Sequence, residues 1–167
     1  MRLVALSHHP QAFGALAMRA SMLERAREVP AQWRWYIAQS ALALWGTPAP
    51  EITSRLSDHI VKAMREAKQT SFWTRPDAEA EATAQRFCDT LVRDWLANPA
   101  PELEILVATG DALCLAQCAL KAIMPGFPDY YRGTERQFLA LTDPDNRLPV
   151  DPYDHAEFEA DHRHQPE

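Results

Sequence analysis

Most of the chain shows the 3.6-residue periodicity of amphipathic helices, and proline and glycine residues mark where the predicted helices end. The first predicted helix covers residues 10–28, and its apolar stripe ends before Pro30. The next helix, residues 31–45, carries apolar side chains on nearly every side, which predicts a central position in the fold. A turn at residues 46–50 then precedes an amphipathic helix over residues 51–68.

The helical pattern continues in the second half of the chain. Residues 76–98 begin with an acidic turn, which favours a helix N-terminus, and keep helical spacing to their end. Residues 103–108 fit either a helix or a strand because the apolar run is short, and we favour a helix. Residues 109–111 then supply capping chemistry for a helix over residues 112–124, whose apolar composition predicts burial.

The character of the sequence changes after this last helix. Residues 127–131 are aromatic and extended in character, which predicts one short strand, and residues 143–147 have the composition of a turn. Beyond Asp151 acidic and histidine residues dominate, so residues 152–167 are predicted to be a disordered tail. The pattern therefore predicts a mainly α chain of five or six helices and one short strand over residues 1–151.

The size and composition of the chain restrict the fold classes that it can adopt. With 167 residues, 47% of them hydrophobic and 24% charged, it should form one domain with a real core. A (β/α)8 barrel needs roughly 250 residues, so a complete barrel is excluded.

Charge and hydropathy restrict the classes of partner, nucleic acid or membrane, that the chain is expected to bind. The net charge of −6 disfavours nucleic acid. The longest apolar run, residues 112–124, is shorter than the ~20 residues that cross a bilayer and contains Gln117 and Lys121, so no membrane association is predicted. With no signal peptide recognisable at the N-terminus, we expect a cytoplasmic location.

The cysteines and histidines do not form a pattern typical of a metal site. Three cysteines, Cys88, Cys114 and Cys118, are an odd number, which fits a reducing compartment. The spacing of Cys114 and Cys118 on an apolar helix favours packing over a metal or redox pair. The histidine pairs near the two ends have no Cys or carboxylate partner at ligand spacing, so no metal site is predicted.

Four segments in a fixed order carry the strongest functional signal. Residues 124–135 read MPGFPDYYRGTE, and residues 143–151 read DPDNRLPVD. This pair resembles the last barrel strand and following loop of α-amylase-type glycoside hydrolases, most closely the maltooligosyltrehalose synthases, where PGVPDxYQGTE leads to DPDNRRPVD. Residues 1–7 resemble the end of the family's RARL…LSE segment, and residues 62–73 resemble its KAxREAK…TSW segment. The resemblance implies the end of a (β/α)8 barrel with its attached helical region.

The resemblance also implies a reaction and a limit on it. The family converts the reducing-end α-1,4 linkage of a maltooligosaccharide to an α,α-1,1 linkage by intramolecular transglucosylation, without a metal or organic cofactor. Retaining enzymes of this type need a nucleophilic and an acid/base carboxylate, which in the family come from earlier barrel strands. A third essential Asp lies in a THDTKR segment that this sequence lacks. The resemblance therefore implies no catalytic residue in this chain and no activity of the chain alone.

The resemblance further implies residues that contact an α-glucan. The cations of residues 62–68 share one side of their helix, and a merely solvated helix face is the simpler interpretation of them. The implied substrate-binding residues are Lys62, Arg65, Lys68, Trp73, Tyr131, Glu135, Asp145 and Arg147.

Several roles remain open at this stage. The chain could be a remnant of a synthase, half of a split enzyme, or a non-catalytic helical module that binds α-glucan or a protein. Its partners would then be a maltooligosaccharide, a separate barrel-bearing chain, or a second copy of itself, because residues 112–131 would leave apolar surface and backbone groups uncovered.

Overall fold

The computed structural model describes residues 1–130 and 137–147, and the predicted tail over residues 152–167 lies outside them. Within the described residues the chain is mainly helical, which confirms the predicted class. The six α-helices there are α1 (Arg2–His8), α2 (Pro10–Met22), α3 (Ala31–Leu44), α4 (Ala49–Ala67), α5 (Ala78–Ala97) and α6 (Pro101–Ile123). Two short 3-10 helices cover Ala26–Glu28 and Asp145–Arg147.

Helix α3 lies at the centre of this arrangement. It contacts α1, α2, α4 and α5, while α1 and α2 also pack along α6 and α4 packs along α5. Ile37, Ala38, Ala41 and Leu42 of α3 are fully buried on more than one side of the helix. The apolar pattern around residues 31–45 predicted this central position.

The helix ends follow the local chemistry of the sequence. Proline occupies the first turn of α2, α4 and α6, where a backbone N–H has no intrahelical partner to lose. Asp77 caps α5 because its side chain accepts a hydrogen bond of 3.0 Å from the Ala80 N–H. Helix α4 ends at Ala67, and the next residue, Lys68, adopts a left-handed conformation with φ of 53°.

The first two helices differ from the prediction. Helix α1 was not predicted, because seven residues are too few to show a helical period. Helix α2 ends at Met22 rather than near residue 28. The chain turns after Met22, and the Arg34 guanidinium donates to the carbonyls of Ala26 and Val29 at 2.6 and 2.9 Å, which holds the 3-10 turn.

Helix α6 is continuous, so the predicted helix start at residues 109–111 is wrong. Gly110 and Asp111 instead form the contact between α6 and α1. A Cβ at Gly110 would lie 2.6 Å from Cγ and 2.8 Å from Cα of Arg2, so only glycine allows this approach. Arg2 in turn donates to Asp111 Oδ1 at 3.2 and 3.3 Å. Tertiary contact therefore overrides the local preference of Gly110 to end a helix.

The second half of α6 is largely exposed, so the predicted burial of residues 112–124 is wrong. Leu115 and Ile123 are 74% and 78% exposed, because no other described segment covers this side of the helix. The full 23 residues of α6 are long and apolar enough to cross a membrane by length and composition alone, which residues 112–124 by themselves did not predict.

The strand predicted over residues 127–131 does not form in its described part, residues 127–130. A strand needs a neighbour for its backbone hydrogen bonds, and no strand occurs anywhere in residues 1–130 or 137–147. Tyr131 lies outside the described residues.

Candidate functional site

A groove runs along α4 where residues 139–145 pass over the helix. On one side of residues 142–145 lies a cavity of about 500 Å³, the Trp73 cavity, lined in part by Asp58, His59, Lys62 and Trp73. A second cavity of about 300 Å³, the Tyr36 cavity, shares His59 and Lys62 with the first. Both volumes fall within the range of about 300–1,000 Å³ that is usual for small-molecule sites.

Arg55 and Asp145 fix the segment 139–145 against α4. Arg55 donates two hydrogen bonds to the Asp145 carboxylate, at 2.6 and 2.8 Å, and a third to the Leu139 carbonyl at 2.6 Å. The Leu141 N–H also donates to Asp145, at 2.6 Å. Burial raises the pKa of Asp145, but these donors outweigh it and hold that pKa below its usual range. Asp145 is therefore an ionised anchor of the groove wall.

Lys62 makes a second connection between α4 and this segment. Its ammonium donates to the backbone carbonyl of Asp143 and lies 3.7 Å from the Asp143 carboxylate. Arg147 forms an ion pair with the same carboxylate. Lys62 thus lines both cavities while it neutralises Asp143, and the groove has no large excess of positive charge.

Trp73 supplies the largest aromatic surface of the groove. Its ring is 53% exposed, and its Nε1–H donates to Glu66 Oε1 at 3.2 Å. The Arg65 guanidinium lies 5.2 Å from the ring centroid, a cation–π distance. The hydrogen bond and the guanidinium together fix the orientation of an exposed indole.

Arg65 itself is held by α5. It donates to both oxygens of Glu81 at 2.8 and 2.7 Å, and the Ser71 hydroxyl donates to the same carboxylate. These hydrogen bonds, first those from Arg65, lower the pKa of Glu81 despite its burial. Because Ser71 also accepts from the Asp77 N–H at 3.0 Å, the loop that carries Trp73 is tied to both α4 and α5.

The structure brings together only part of the predicted glucan-contacting set. Lys62, Trp73 and Asp145 line the Trp73 cavity, and Arg65 lies behind the Trp73 ring. Lys68 is exposed at the end of α4 and lines neither cavity.

The other members of that set do not line the cavities as described. Arg147 reaches the groove only through its ion pair with Asp143. Tyr131 and Glu135 lie outside the described residues.

Sequence reasoning missed His59 and Tyr36. The Tyr36 hydroxyl lies 2.8 Å from His59 Nε2, and the two rings are stacked with centroids 5.6 Å apart. Burial, and to a lesser extent Lys62, lowers the pKa of His59 against the opposing effect of Asp145. His59 lies four residues after Arg55 and three before Lys62, so helical spacing could have placed it on this face.

The groove offers binding groups rather than an acid/base pair. Its carboxylates at positions 143 and 145 each form ion pairs with basic side chains, and Asp58 lines the same groove. Within residues 1–130 and 137–147 no cluster of three or more His, Cys, Asp or Glu side chains could hold a metal ion. An indole, a phenol, an ammonium and several acceptors suit a neutral ligand that has apolar faces and hydroxyl groups.

Comparison with known proteins gives one consistent class. A curated Mycobacterium tuberculosis protein, whose name assigns it to the maltooligosyl trehalose synthases, is 31% identical over 158 residues, which are 90% of this chain. The solved maltooligosyltrehalose synthase of Arthrobacter ramosus shares 29% identity over 99% of this chain, with a TM-score of 0.75. A solved glycosyltrehalose synthase shares 27% identity over 96% of this chain, with a TM-score of 0.81. No family model matches the chain.

These matches define a class of trehalose-forming synthases, and this chain corresponds in sequence and fold to a part of them. The resemblance to the maltooligosyltrehalose synthases that the motifs predicted is therefore confirmed. The chain spans about one fifth of the length of its curated relative and 22% of these two solved chains. It is thus a partial counterpart of a synthase, and it does not contain a barrel in its described residues.

Proposed function

We propose that this chain is the helical, glucan-contacting part of a maltooligosyltrehalose synthase-like protein that acts in cytoplasmic trehalose metabolism. The reaction would be the transglucosylation implied by the family, with the catalytic carboxylates supplied by barrel sequence that these 167 residues do not include. The exposed Trp73 side chain, which lines a cavity of about 500 Å³ together with Lys62, is the observation that carries the proposal.

The chemistry of the groove supports a sugar ligand. A pyranose has C–H faces that pack on an indole and hydroxyl groups that exchange hydrogen bonds with ammonium, imidazole and carboxylate groups. The Trp73 cavity offers all of these within one wall. Because all the relatives named above are synthases, the comparisons support this role over an independent binding or interaction module.

Tryptophan fluorescence tests the binding step. We expect maltopentaose to perturb the emission of the 167-residue chain with an affinity of about millimolar, because few contacts offset the entropy of association. Trp73→Phe should remove most of the effect. Trp35→Phe is the matched control, because Trp35 is also about half exposed but packs edge-on against Phe13, away from the groove. No fluorescence or calorimetric response to maltopentaose well above millimolar concentration would contradict the proposal.

We propose that barrel sequence of a synthase covers the exposed side of α6. Leu115, Leu120 and Ile123 project there without cover from the described residues, and the relatives are about five times as long as this chain. Large exposed apolar patches are unusual on soluble monomers. A synthase lacking the matching fifth should therefore co-purify with this chain.

The same surface predicts how the isolated chain behaves. Without a cover, we expect it to self-associate at 100 μM, and Leu115→Glu with Ile123→Glu should lower the mass measured by light scattering. The control Glu102→Ala changes charge at the other end of α6. A monomeric wild-type chain that also fails to bind the truncated synthase would contradict the proposed cover.

A further inference from the structure

The Tyr36 cavity is a second, half-open space next to the Trp73 cavity. Trp33 and Tyr36 of α3 form its aromatic wall, and Ala63 of α4 lines it together with the shared residues His59 and Lys62. Lys62, Ala63 and Glu66 of the KAxREAK-like segment line it, but Trp33, Tyr36 and His59 lie outside the family motifs. Its volume of about 300 Å³ is at the lower end for a small-molecule site.

The polar groups of this cavity favour a neutral ligand. Lys62 is its one cation among the described lining residues, and Glu66 is its one carboxylate. Burial disfavours a charged imidazole at His59, and the imidazole already contacts the Tyr36 hydroxyl. The charges balance, and the remaining groups are hydrogen-bonding and aromatic, so an anion or a cation would gain little here.

The exposed aromatic surface of this cavity comes mainly from Tyr36, which is 37% exposed. Trp33 is only 6% exposed and borders another cavity as well, so it forms part of the wall.

The geometry points to the Tyr36 cavity as an additional sugar subsite, which extends the groove by one glucose unit beyond the Trp73 cavity. Both cavities share His59 and Lys62, so they are adjacent, and in this proposal one chain of linked pyranoses occupies both. Ring contacts would come from Trp33 and Tyr36, and hydroxyl contacts from the Tyr36–His59 pair. This inference rests on the proposed binding of α-glucan in the groove.

The test is the dependence of affinity on oligosaccharide length. We would titrate the 167-residue chain calorimetrically with glucose, maltose and each longer oligomer up to maltopentaose. Ala63→Leu fills the Tyr36 cavity without removing a polar group, and Ala67→Leu is the matched control because exposed Ala67 lines neither cavity. Affinity should stop rising one glucose unit earlier in Ala63→Leu, with a loss on the order of tenfold for the longest oligomer.

A second variant keeps the test decisive if Ala63→Leu fails to fold. Tyr36→Phe removes only the hydroxyl and should weaken binding of the long oligomers while the short ones bind as to the wild type. If folded Ala63→Leu and Tyr36→Phe both keep the wild-type length dependence, while Trp73→Phe abolishes binding, the subsite is refuted and the proposed function stands. If the wild type binds no oligomer, both fail.

Discussion

Two glycines inside helices give a controlled test of the contact between α1 and α6. Gly14 lies in α2, where an added Cβ would have nothing within 4 Å, whereas Gly110 lies in α6 against Arg2. Both would gain the same helix propensity from an alanine, about 0.8–1.0 kcal/mol. Any difference between Gly14→Ala and Gly110→Ala therefore measures the close approach of the two helices.

The distances set the expected size of that difference. An added Cβ at Gly110 would lie 2.8 Å from the backbone Cα of Arg2, so α1 must move rather than a side chain alone. Overpacking of this kind costs about 1–3 kcal/mol. Gly14→Ala should thus raise the free energy of unfolding by up to about 1 kcal/mol. The free energy of unfolding of Gly110→Ala should be about 1–3 kcal/mol lower than that of Gly14→Ala.

Urea unfolding followed by far-ultraviolet circular dichroism measures both variants under one set of conditions. For a chain of this size 1 kcal/mol corresponds to about 2–4 °C in Tm, so thermal melts should separate the pair by at least about 2 °C. If Gly110→Ala stabilises the chain as much as Gly14→Ala does, the close packing of α1 on α6 is refuted.

Three further predictions follow from the ion pairs and the missing barrel. Arg55→Ala should lower the free energy of unfolding by about 1.5–3 kcal/mol, because it leaves Asp145 half-buried and unpaired, whereas Arg93→Ala, at an exposed pair, should cost less than about 1 kcal/mol in the same urea assay. The lowered pKa of Glu81 means that its stabilisation is complete above its usual value of 4.5 and is lost as pH falls below it, so Glu81→Gln should flatten the acid limb of stability against pH. The 167-residue chain should not convert maltopentaose to its trehalose-ended isomer, and turnover abolished by mutating one of its own carboxylates would contradict this.

The sequence pattern predicted the longer helices that have clear end signals. Helices α4 and α5 each present an apolar stripe, and α3 is apolar on nearly every side between Pro30 and the turn at residues 46–50, so their bounds were predicted to within a few residues. Helix α1 was not predicted because it has only seven residues, of which Arg2 and Ala5 are buried and Leu6 is partly buried against the core. The continuity of α6 through Gly110 depends on a partner more than a hundred residues away, which local propensity does not contain.

The candidate site divides in the same way. Lys62 and Trp73 belong to one short motif, so resemblance could find them. Their neighbour Tyr36 is part of the groove because α3 packs on α4. Arg55 is part of it because residues 139–145 pass over α4 and bind its side chain. A resemblance in four short segments identifies the residues within those segments. The other residues of the cavity walls are brought there by tertiary packing, which the segments do not contain.

The hydrogen bonds that close the groove join residues 81 to 90 positions apart, from α4 to the segment that ends the described chain. Closing so long a loop costs entropy that only those few bonds and their neighbours offset. The segment is therefore expected to open locally at a lower free energy than global unfolding. A sugar that contacts both α4 and residues 139–145 would act as a reversible cross-link between them. Slowed hydrogen exchange at the Leu141 amide would then detect sugar binding without any tryptophan signal.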